Sequence, residues 1–320
     1  MKAIILRGIA LLAAVLALGG GTASAQTAVR FASAQNSLGS LPIVIARQQG
    51  FFTAEKINLE VIDFRGGAPA VQALASGSVE ACICAADHAV RLRARNQAGL
   101  VLVALTEIHG YGLVALRSSP ATDLASLRGQ RVGITSAGSL TDNTLRYYMA
   151  EAGMNPDRDF QLIGVGTGGP MRAAIESGAV AAGMLTTPDV QAALSDPRFK
   201  LVQDFRSLQY PALDLVVMER WASANPDTAR AVARAVLRGA QLVRSDRAAV
   251  DRALAEMFPA LTPELRAVLA EEAPRLGSAD GRMSREGYEL MIRMLRVSDP
   301  TIRAVPYETV MALNYLPPQP

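Results

Sequence analysis

A phrase that occurs twice in the chain constrains its architecture more than any other feature. The first copy has Gly66-Gly67-Ala68-Pro69 and then Ser76-Gly77-Ser78-Val79, and the second has Gly168-Gly169-Pro170 and then Ser177-Gly178-Ala179-Val180. A period of about a hundred residues is too long for a solenoid repeat. We therefore interpret the repeat as two similar lobes in one chain, with a cleft between them.

The N-terminus has the features of a secretory signal peptide. Lys2 and Arg7 flank an apolar run that ends at Leu18, and Ala23-Ser24-Ala25 offers small residues at the spacing that a signal peptidase requires. Cleavage after Ala25 lowers the formal charge of the chain from +3 to about +1, with arginines spread evenly rather than clustered. No later stretch approaches the roughly 20 apolar residues of a spanning helix. We expect a soluble, monomeric periplasmic protein with no nucleic-acid partner.

The two cysteines, Cys82 and Cys84, are separated by one residue. If residues 80–85 form a strand, both side chains point to the same face, and a disulfide at that spacing would be strained. We interpret them as small buried residues in a strand. With only His88 and His109 as histidines, the chain has little with which to build a metal site, and we expect none.

Short strands alternate with helices along both halves of the chain. The pattern predicts strands near 29–32, 59–62, 81–85 and 100–105 in the first half, and near 130–135, 160–165 and 182–185 in the second. Such alternation favours a parallel sheet with helices on both faces. The fold class is therefore α/β, with two Rossmann-like lobes and a central ligand cleft.

The chain must cross between the lobes at least twice. We predict that His109–Gly112 and Gln209–Ala212 are the two crossover strands, which would also form a hinge. A helical tail that starts at Asn225-Pro226 is expected to wrap the first lobe. The resulting division is 1–25 for the signal peptide, 26–110 with 211–320 for the first lobe, and 111–210 for the second lobe.

Turns that leave a strand and enter a helix are the candidate binding elements, because ligands bind beyond the carboxyl ends of the strands in such sheets. Their backbone N–H groups have no partner within the helix and favour negative charge. In the second half, Ser136–Asp142 is the most hydroxyl-rich turn, and Ser139 with Asp142 resembles a weak capping box. In the first half, Asp87 can cap the helix that follows.

No convincing catalytic set is present in the sequence. Gly164–Gly169 matches G-x-G-x-x-G, but the acidic residue expected at the end of the next strand is missing. We expect neither catalysis nor a cofactor. Backbone N–H groups and hydroxyls can instead hold a small polar solute in the cleft.

Seven stretches of the chain follow a family pattern, and they are Pro42–Ala46, Gln49–Phe52, Ile57–Val61, Ala73–Ala81, Leu127–Gly133, Gly153-Met154 and Gly178–Ala182. In these stretches the chain resembles type II periplasmic substrate-binding proteins of the nitrate/sulfonate/taurine class. That class also includes relatives that bind thiamine-pyrimidine precursors. The resemblance implies a receptor that delivers a small solute to an ABC permease in the inner membrane.

The resemblance also implies that the ligand binds at the helix-start turns of both lobes. Carried over by position, the ligand-binding residues would be Asn36, Ser37, Leu38, Gly67, Ala68, Ala85, Asp87, Ser136, Gly138, Ser139, Thr141 and Thr186. The carboxyl group of Asp87 argues against nitrate and leaves sulfonates, taurine-like zwitterions and carboxylates open. The alternatives are a binding protein for a small heterocycle such as a thiamine-pyrimidine precursor, and an enzyme on the same two-lobed fold.

Overall fold

The structure is a computed structural model that describes residues 26–64, 66–303 and 305–318. The predicted signal peptide, residues 1–25, lies outside the described residues. The strands are β1 (Thr27–Ser33), β2 (Ile57–Asp63), β3 (Ala81–Cys84), β4 (Gly99–Ala104), β5 (Tyr111–Leu116), β6 (Arg131–Ile134), β7 (Gln161–Gly164), β8 (Ala182–Thr186), β9 (Phe199–Asp204) and β10 (Asp214–Met218).

The α-helices of the described residues are α1 (Leu41–Gln48), α2 (Phe51–Ala54), α3 (Gly67–Ser76), α4 (Asp87–Ala94), α5 (Leu140–Glu151), α6 (Gly169–Glu176), α7 (Asp189–Leu194), α8 (Glu219–Ala224), α9 (Pro226–Ser245), α10 (Arg247–Met257), α11 (Pro263–Leu276), α12 (Arg285–Ser298) and α13 (Tyr307–Val310). Short 3-10 helices cover Leu38–Ser40, Ala125–Leu127 and Leu313–Tyr315.

The strands form two five-stranded sheets with matching topology. The first sheet has the order β2-β1-β3-β10-β4, and the second has the order β7-β6-β8-β5-β9. We refer to the parts of the chain built on them as the first and second lobes. The sequence repeat corresponds to α3 followed by β3 in the first lobe and α6 followed by β8 in the second. The prediction of two similar α/β lobes is therefore confirmed.

The prediction of parallel sheets is wrong at the fourth strand of each sheet. In the first sheet β10 runs antiparallel between β3 and β4, with Asp214 paired to Cys84 and Val217 paired to Ala81. In the second sheet β5 takes the same position between β8 and β9. Each of these two strands begins where the chain has just crossed from the other lobe. The chain enters the sheet at the carboxyl edge of the parallel strands, so the new strand runs in the opposite direction to them.

The two predicted crossing segments lie side by side. Ile108 and Gln209 form an antiparallel bridge, and the flanking N–H groups of His109 and Tyr210 each donate to the opposite segment at 2.9 Å. The imidazole of His109 packs against the rings of Tyr111, Phe205 and Tyr210. The crossing is thus a paired and tightly packed element rather than two loose linkers.

The helical tail contacts both lobes. Helix α9 buries Val232, Val236 and Gly239 against α1, where a side chain at Gly239 would overlap the carbonyl of Pro42. Helix α9 packs against α1 of the first lobe, as expected of the tail, whereas α12 packs mainly against α5 of the second lobe and also contacts α4 of the first. The apolar pattern of α12 predicts a buried face, and it does not reveal which lobe covers that face.

Cys82 and Cys84 are both fully buried in β3, as predicted. The structure nevertheless joins their sulfur atoms in a disulfide, which the spacing argued against. Because side chains two positions apart share one face of a strand, both sulfur atoms lie on the same side of the first sheet.

Among the residues that the structure describes, no helix combines the length and the apolar character needed to cross a bilayer.

Candidate functional site

The helix-start turns of the two lobes meet at a small inner cavity. Its lining comes from both lobes and from the crossing segments, and comprises Ala34, Gln35, Gly67, Ala85, His88, Tyr111, Thr135, Ser139, Leu140, Ala212 and Leu213. The cavity volume is about 20 Å³, which is room for one or two water molecules. The lobes are therefore closed onto each other at the carboxyl ends of the parallel strands.

The first helix-start contact between the lobes joins α3 to α5. The backbone N–H of Ala68 donates to the hydroxyl oxygen of Ser139 across 3.2 Å. That oxygen also lies 2.6 Å from the hydroxyl oxygen of Ser136. An N–H group at the start of α3, which has no partner within the helix, is thus satisfied by a side chain of the opposite lobe.

The second contact between the lobes involves Asp87. The residue before α4 is Ala86, and Asp87 is the first helical residue and makes no capping bond. Its side chain is fully buried, and its Oδ2 accepts a hydrogen bond from Nδ2 of Asn143 at 2.7 Å. Oδ1 of Asn143 in turn accepts from Arg91 at 2.6 Å. The prediction that Asp87 caps its own helix is therefore wrong, because its carboxyl group is directed toward the second lobe.

His88 forms part of the cavity wall beside Asp87. Its Nε2 lies 3.9 Å from Oδ1 of Asp87, which is too long for a hydrogen bond. Neither atom has a hydrogen-bond partner among the described residues. Burial lowers the pKa of His88, an effect that the neighbouring Asp87 opposes. The imidazole is therefore neutral at pH 7, with an unused nitrogen on the first-lobe side of the cavity.

The hydroxyl-rich turn of the second lobe is held by its own side chains. The hydroxyl of Thr141, which is fully buried, accepts from the N–H of Thr135 at 2.9 Å. Oδ2 of Asp142 accepts from the N–H of Gly138 at 2.7 Å. Ser139 occupies the N-cap position of α5 without a capping bond from its hydroxyl. The capping box is thus not formed, because Asp142 accepts from the N–H of Gly138 rather than from that of the N-cap residue Ser139, and Ser139 makes no capping bond.

A second and larger cavity lies next to the inner one. It has a volume of about 360 Å³, within the range of small-molecule sites. Gln35, Tyr111, Ala212 and Leu213 line both cavities. The outer cavity is bordered by four charged side chains, which are Asp204, Arg206, Glu272 and Arg275. Acidic and basic groups are equal in number at this border, so its formal charge is balanced.

A hydrogen bond between the lobes separates the two cavities. The hydroxyl of Tyr111 donates to Oε1 of Gln35 across 2.6 Å, and both residues are buried. Burial raises the pKa of Tyr111 well above its usual range, so the hydroxyl keeps its proton and acts as a donor.

The predicted site residues fall into four groups in the structure. Gly67, Ala85 and Ser139 line the inner cavity. Ser37, Leu38 and Thr186 line the outer cavity. Ala68, Asp87, Ser136, Gly138 and Thr141 lie at the inner cavity's edge or brace its turns, through the bonds described above. Asn36 is exposed and donates to the carbonyl of Met257 in α10, so its side chain is directed away from both cavities.

The lining of the cavities includes four residues that were not predicted as site residues, namely Gln35, His88, Thr135 and Tyr111. Asn143, which bonds to Asp87, was not predicted either. Gln35 immediately precedes a predicted residue, and His88 immediately follows one. Asn143 lies one helical turn after Ser139, a spacing that places both on one face of α5. That spacing is the signal in the sequence that could have identified Asn143.

The described ranges contain no group of three or more His, Cys, Asp or Glu side chains arranged to hold a metal ion.

Two lobes with one mixed five-stranded sheet each, joined by paired crossing segments, form the fold of periplasmic binding proteins. The chain belongs to the NMT1/THI5-like family, whose model matches residues 38–248. The resemblance to periplasmic substrate-binding proteins is thereby confirmed, and solved structures share the fold.

Two of these structures cover nearly the whole chain. A protein from Bordetella bronchiseptica RB50 superposes with a TM-score of 0.81 and 24% identity, covering 91% of this chain and 96% of its own. The alkanesulfonate-binding protein SsuA from Xanthomonas axonopodis pv. citri, bound to MOPS, superposes with a TM-score of 0.72 and 18% identity, covering 92% of this chain and 99% of its own. At these identities the likeness shows the fold.

A curated relative is the bicarbonate transport ATP-binding protein CmpC of Synechocystis, which is 27% identical over 218 residues and 61% of this chain. The chain spans about a third of the length of that relative, since 32% of it is covered.

Proposed function

We propose that the chain is the solute-binding protein of an ABC importer, which closes its lobes on a small polar organic solute and delivers it to a permease in the inner membrane. The observation that carries this proposal is the contact between Ala68 and Ser139. A helix start of one lobe is satisfied there by a hydroxyl of the other, as a solute oxygen would satisfy it once the lobes part. Membership of the NMT1/THI5-like family supports the same function.

The lining of the cavities favours a sulfonate, a taurine-like zwitterion or a carboxylate. In the described part of the chain, the inner cavity is lined by three residues with hydroxyl groups, one amide, a neutral imidazole, one glycine and five Ala or Leu residues, with no Lys or Arg. Helix-start N–H groups can bind an anionic oxygen without a cationic side chain. The outer cavity provides room for the remainder of the molecule.

A small heterocycle, such as a thiamine-pyrimidine precursor, is the second candidate. The rings of Tyr111 and His88 both contribute to the inner lining, and a flat ligand could pack against either of them.

On this proposal the protein is exported from the cytoplasm and does not catalyse a reaction. The signal-like sequence of residues 1–25 supports a periplasmic location after cleavage behind Ala25. A receptor must release its solute unchanged, so the site needs affinity and closure rather than reacting groups. The resulting protein is a monomer that binds the solute and the permease.

The test is a binding screen of the chain from residue 26 onward by thermal shift and calorimetry, with sulfonates, amino-sulfonates, carboxylates and pyrimidines. A solute at 100 times its dissociation constant is expected to add about 2.7 kcal/mol to the free energy of unfolding. Ser139→Ala is expected to strengthen binding severalfold, because its hydroxyl no longer competes with the solute oxygen for the N–H of Ala68. Ser177→Ala is the matched control, because its exposed hydroxyl lies at the end of α6 and donates to the carbonyl of Ala174 at 3.3 Å. A screen in which no solute shifts the melting temperature contradicts the proposal.

A further inference from the structure

We infer that, in the closed structure, the hydroxyl of Ser139 lies where a bound solute would place an oxygen, and the amide of Asn143 lies where it would place an amino group. The site therefore selects a small dipolar solute whose amino group is directed to Asp87. This inference rests on the proposed function and names the solute class more narrowly. It depends on three observations, which concern Asp87, the neighbouring His88 and the spacing along α5.

The first observation is that the carboxyl group of Asp87 is buried and receives a hydrogen bond from the other lobe. Asp87 is 0% exposed, and a donor for its Oδ2 is supplied by Asn143, which is itself 1% exposed and belongs to the other lobe. A buried carboxyl group that loses its donor is destabilised strongly. When the lobes part, Asn143 moves away with the second lobe. A solute that takes the place of Asn143 at Asp87 must therefore bring its own N–H donor.

The second observation is that two neighbouring buried atoms, one on His88 and one on Asp87, lack hydrogen-bond partners among the described residues. Nε2 of His88 and Oδ1 of Asp87 are both buried and have no hydrogen-bond partner in the described part of the chain. They lie 3.9 Å apart, on the side of the cavity formed by Gly67, whose Cβ position lies 2.5 Å from Nε2. One ammonium group carries three N–H donors. It can therefore donate to Oδ1 of Asp87 and also to Nε2 of His88 when that nitrogen carries no proton, which a hydroxyl with a single donor cannot do together.

The spacing along α5 is the third observation. The N–H of Asn143 donates to the carbonyl of Ser139 at 3.0 Å, so the two residues are one helical turn apart. Side chains at this spacing have Cβ atoms about 5–6 Å apart on one face of a helix. Ser139 presents an acceptor to the start of α3, and Asn143 presents a donor to Asp87. A short acid with a terminal amino group carries the same two functions at a similar separation.

Arg91 fixes which end of the Asn143 amide faces Asp87. Its guanidinium donates to Oδ1 of Asn143 at 2.6 Å, which turns Nδ2 toward the carboxyl group. In the part of the chain that the structure describes, the hydrogen bond to Oδ2 of Asp87 thus comes from a neutral amide. An ammonium group would replace that neutral donor with a charged one, and such hydrogen bonds are roughly twice as strong.

The test compares two matched pairs of solutes on the chain from residue 26 onward by calorimetry. The pairs are 3-aminopropionate with 3-hydroxypropionate, and 2-aminoethanesulfonate with 2-hydroxyethanesulfonate. Within the pair that binds, we expect the amino member to bind roughly tenfold tighter or more, the range of one hydrogen bond to a charged group. Asp87→Asn is expected to remove this preference.

Asp214→Asn is the matched control for Asp87→Asn. Asp214 is also a fully buried carboxyl group, its Oδ1 accepts a hydrogen bond from the N–H of Leu105 at 3.2 Å, and burial raises its pKa well above its usual range. The control is expected to keep the preference for the amino member. Equal binding of both members, or a preference that survives Asp87→Asn, overturns the inference.

The outcomes separate this inference from the proposed function. If sulfonates, carboxylates or pyrimidines bind without preference for an amino group, the receptor function stands and the inference fails. If no solute of the wider screen binds, both fail.

A second variant decides the question if Asp87→Asn does not fold, as judged by circular dichroism. Asn143→Ala removes the side chain that stands in for the amino group, so the amino members are expected to bind severalfold tighter. Weaker binding of the amino members to Asn143→Ala would show that Asn143 is a fixed support of the closed lobes, and would overturn the inference.

Discussion

The hydroxyl of Tyr111 and the side-chain amide of Gln35 are joined by a hydrogen bond of 2.6 Å that connects the two lobes and divides the ligand region into two cavities. Tyr111 begins β5 in the second lobe, and Gln35 follows β1 in the first. Both residues line the inner and the outer cavity, so the bond lies where the two cavities meet. The pair therefore couples lobe closure to the shape of the site.

Tyr111→Phe should favour parted lobes. Loss of the hydroxyl leaves the buried amide oxygen of Gln35 without its donor, which costs about 1–3 kcal/mol in the closed form. We expect a larger radius of gyration in small-angle X-ray scattering, together with lower stability in urea. Tyr288→Phe is the control, because its hydroxyl donates at 2.7 Å to Val305 within the tail. Scattering curves that are the same for both variants would contradict this role of Tyr111.

Gly67→Ala should disturb the wall of the inner cavity. A Cβ at Gly67 would lie 2.5 Å from Nε2 of His88, and relieving such a contact costs about 1–3 kcal/mol. We expect a lower melting temperature and weaker solute binding. Gly169→Ala is the matched control at the start of α6, because no atom lies within 4 Å of its Cβ position. Equal effects of the two substitutions would show that the contact with His88 is easily relieved.

His109 should make the stability of the protein depend on pH on the acidic side. Burial lowers its pKa from 6.5 to about 3, an effect that Asp204 opposes. Between these values the unfolded chain binds a proton that the folded chain does not, so stability falls as the pH falls below 6.5. From pH 7 to pH 5 we expect the wild-type protein to lose about 2 kcal/mol more than His109→Gln, measured by urea unfolding. Parallel pH profiles of the two proteins would exclude this contribution.

Gly239→Ala should weaken the attachment of the tail to the first lobe. Alanine is normally better than glycine inside a helix by about 1 kcal/mol, but its Cβ would overlap the carbonyl of Pro42 in α1. We expect the overlap to dominate, with a net loss of about 1–3 kcal/mol in the free energy of unfolding. A gain in stability would mean that α9 and α1 separate without cost.

The repeat could be predicted from the sequence because its signals are local. Gly77 and Gly178 each follow a helix and have positive φ values of 79° and 72°, a conformation that glycine adopts without strain. The strand after each glycine is a short apolar run. Helix end, turn and strand are therefore fixed within about ten residues in each copy, and the two copies agree.

Contacts between distant parts of the chain could not be predicted in the same way. Asp87 looked like a helix cap, but its carboxyl group bonds to Asn143, 56 residues further along the chain. Tyr111 and Gln35 are 76 residues apart. The position of β10 inside the first sheet depends on a pairing between Asp214 and Cys84. Each of these features is created by the packing of the lobes, for which a single sequence contains no local signal.

The position of β10 also sets the order in which the protein can assemble as it is synthesised. The strands of the second sheet are contiguous in the chain, from Tyr111 to Asp204. The first sheet lacks its fourth strand until Met218 has been made, and without that strand β4 has no partner to join it to β3. The lobe that begins second in the chain can therefore complete its sheet first, and the N-terminal strands must wait more than a hundred residues for theirs.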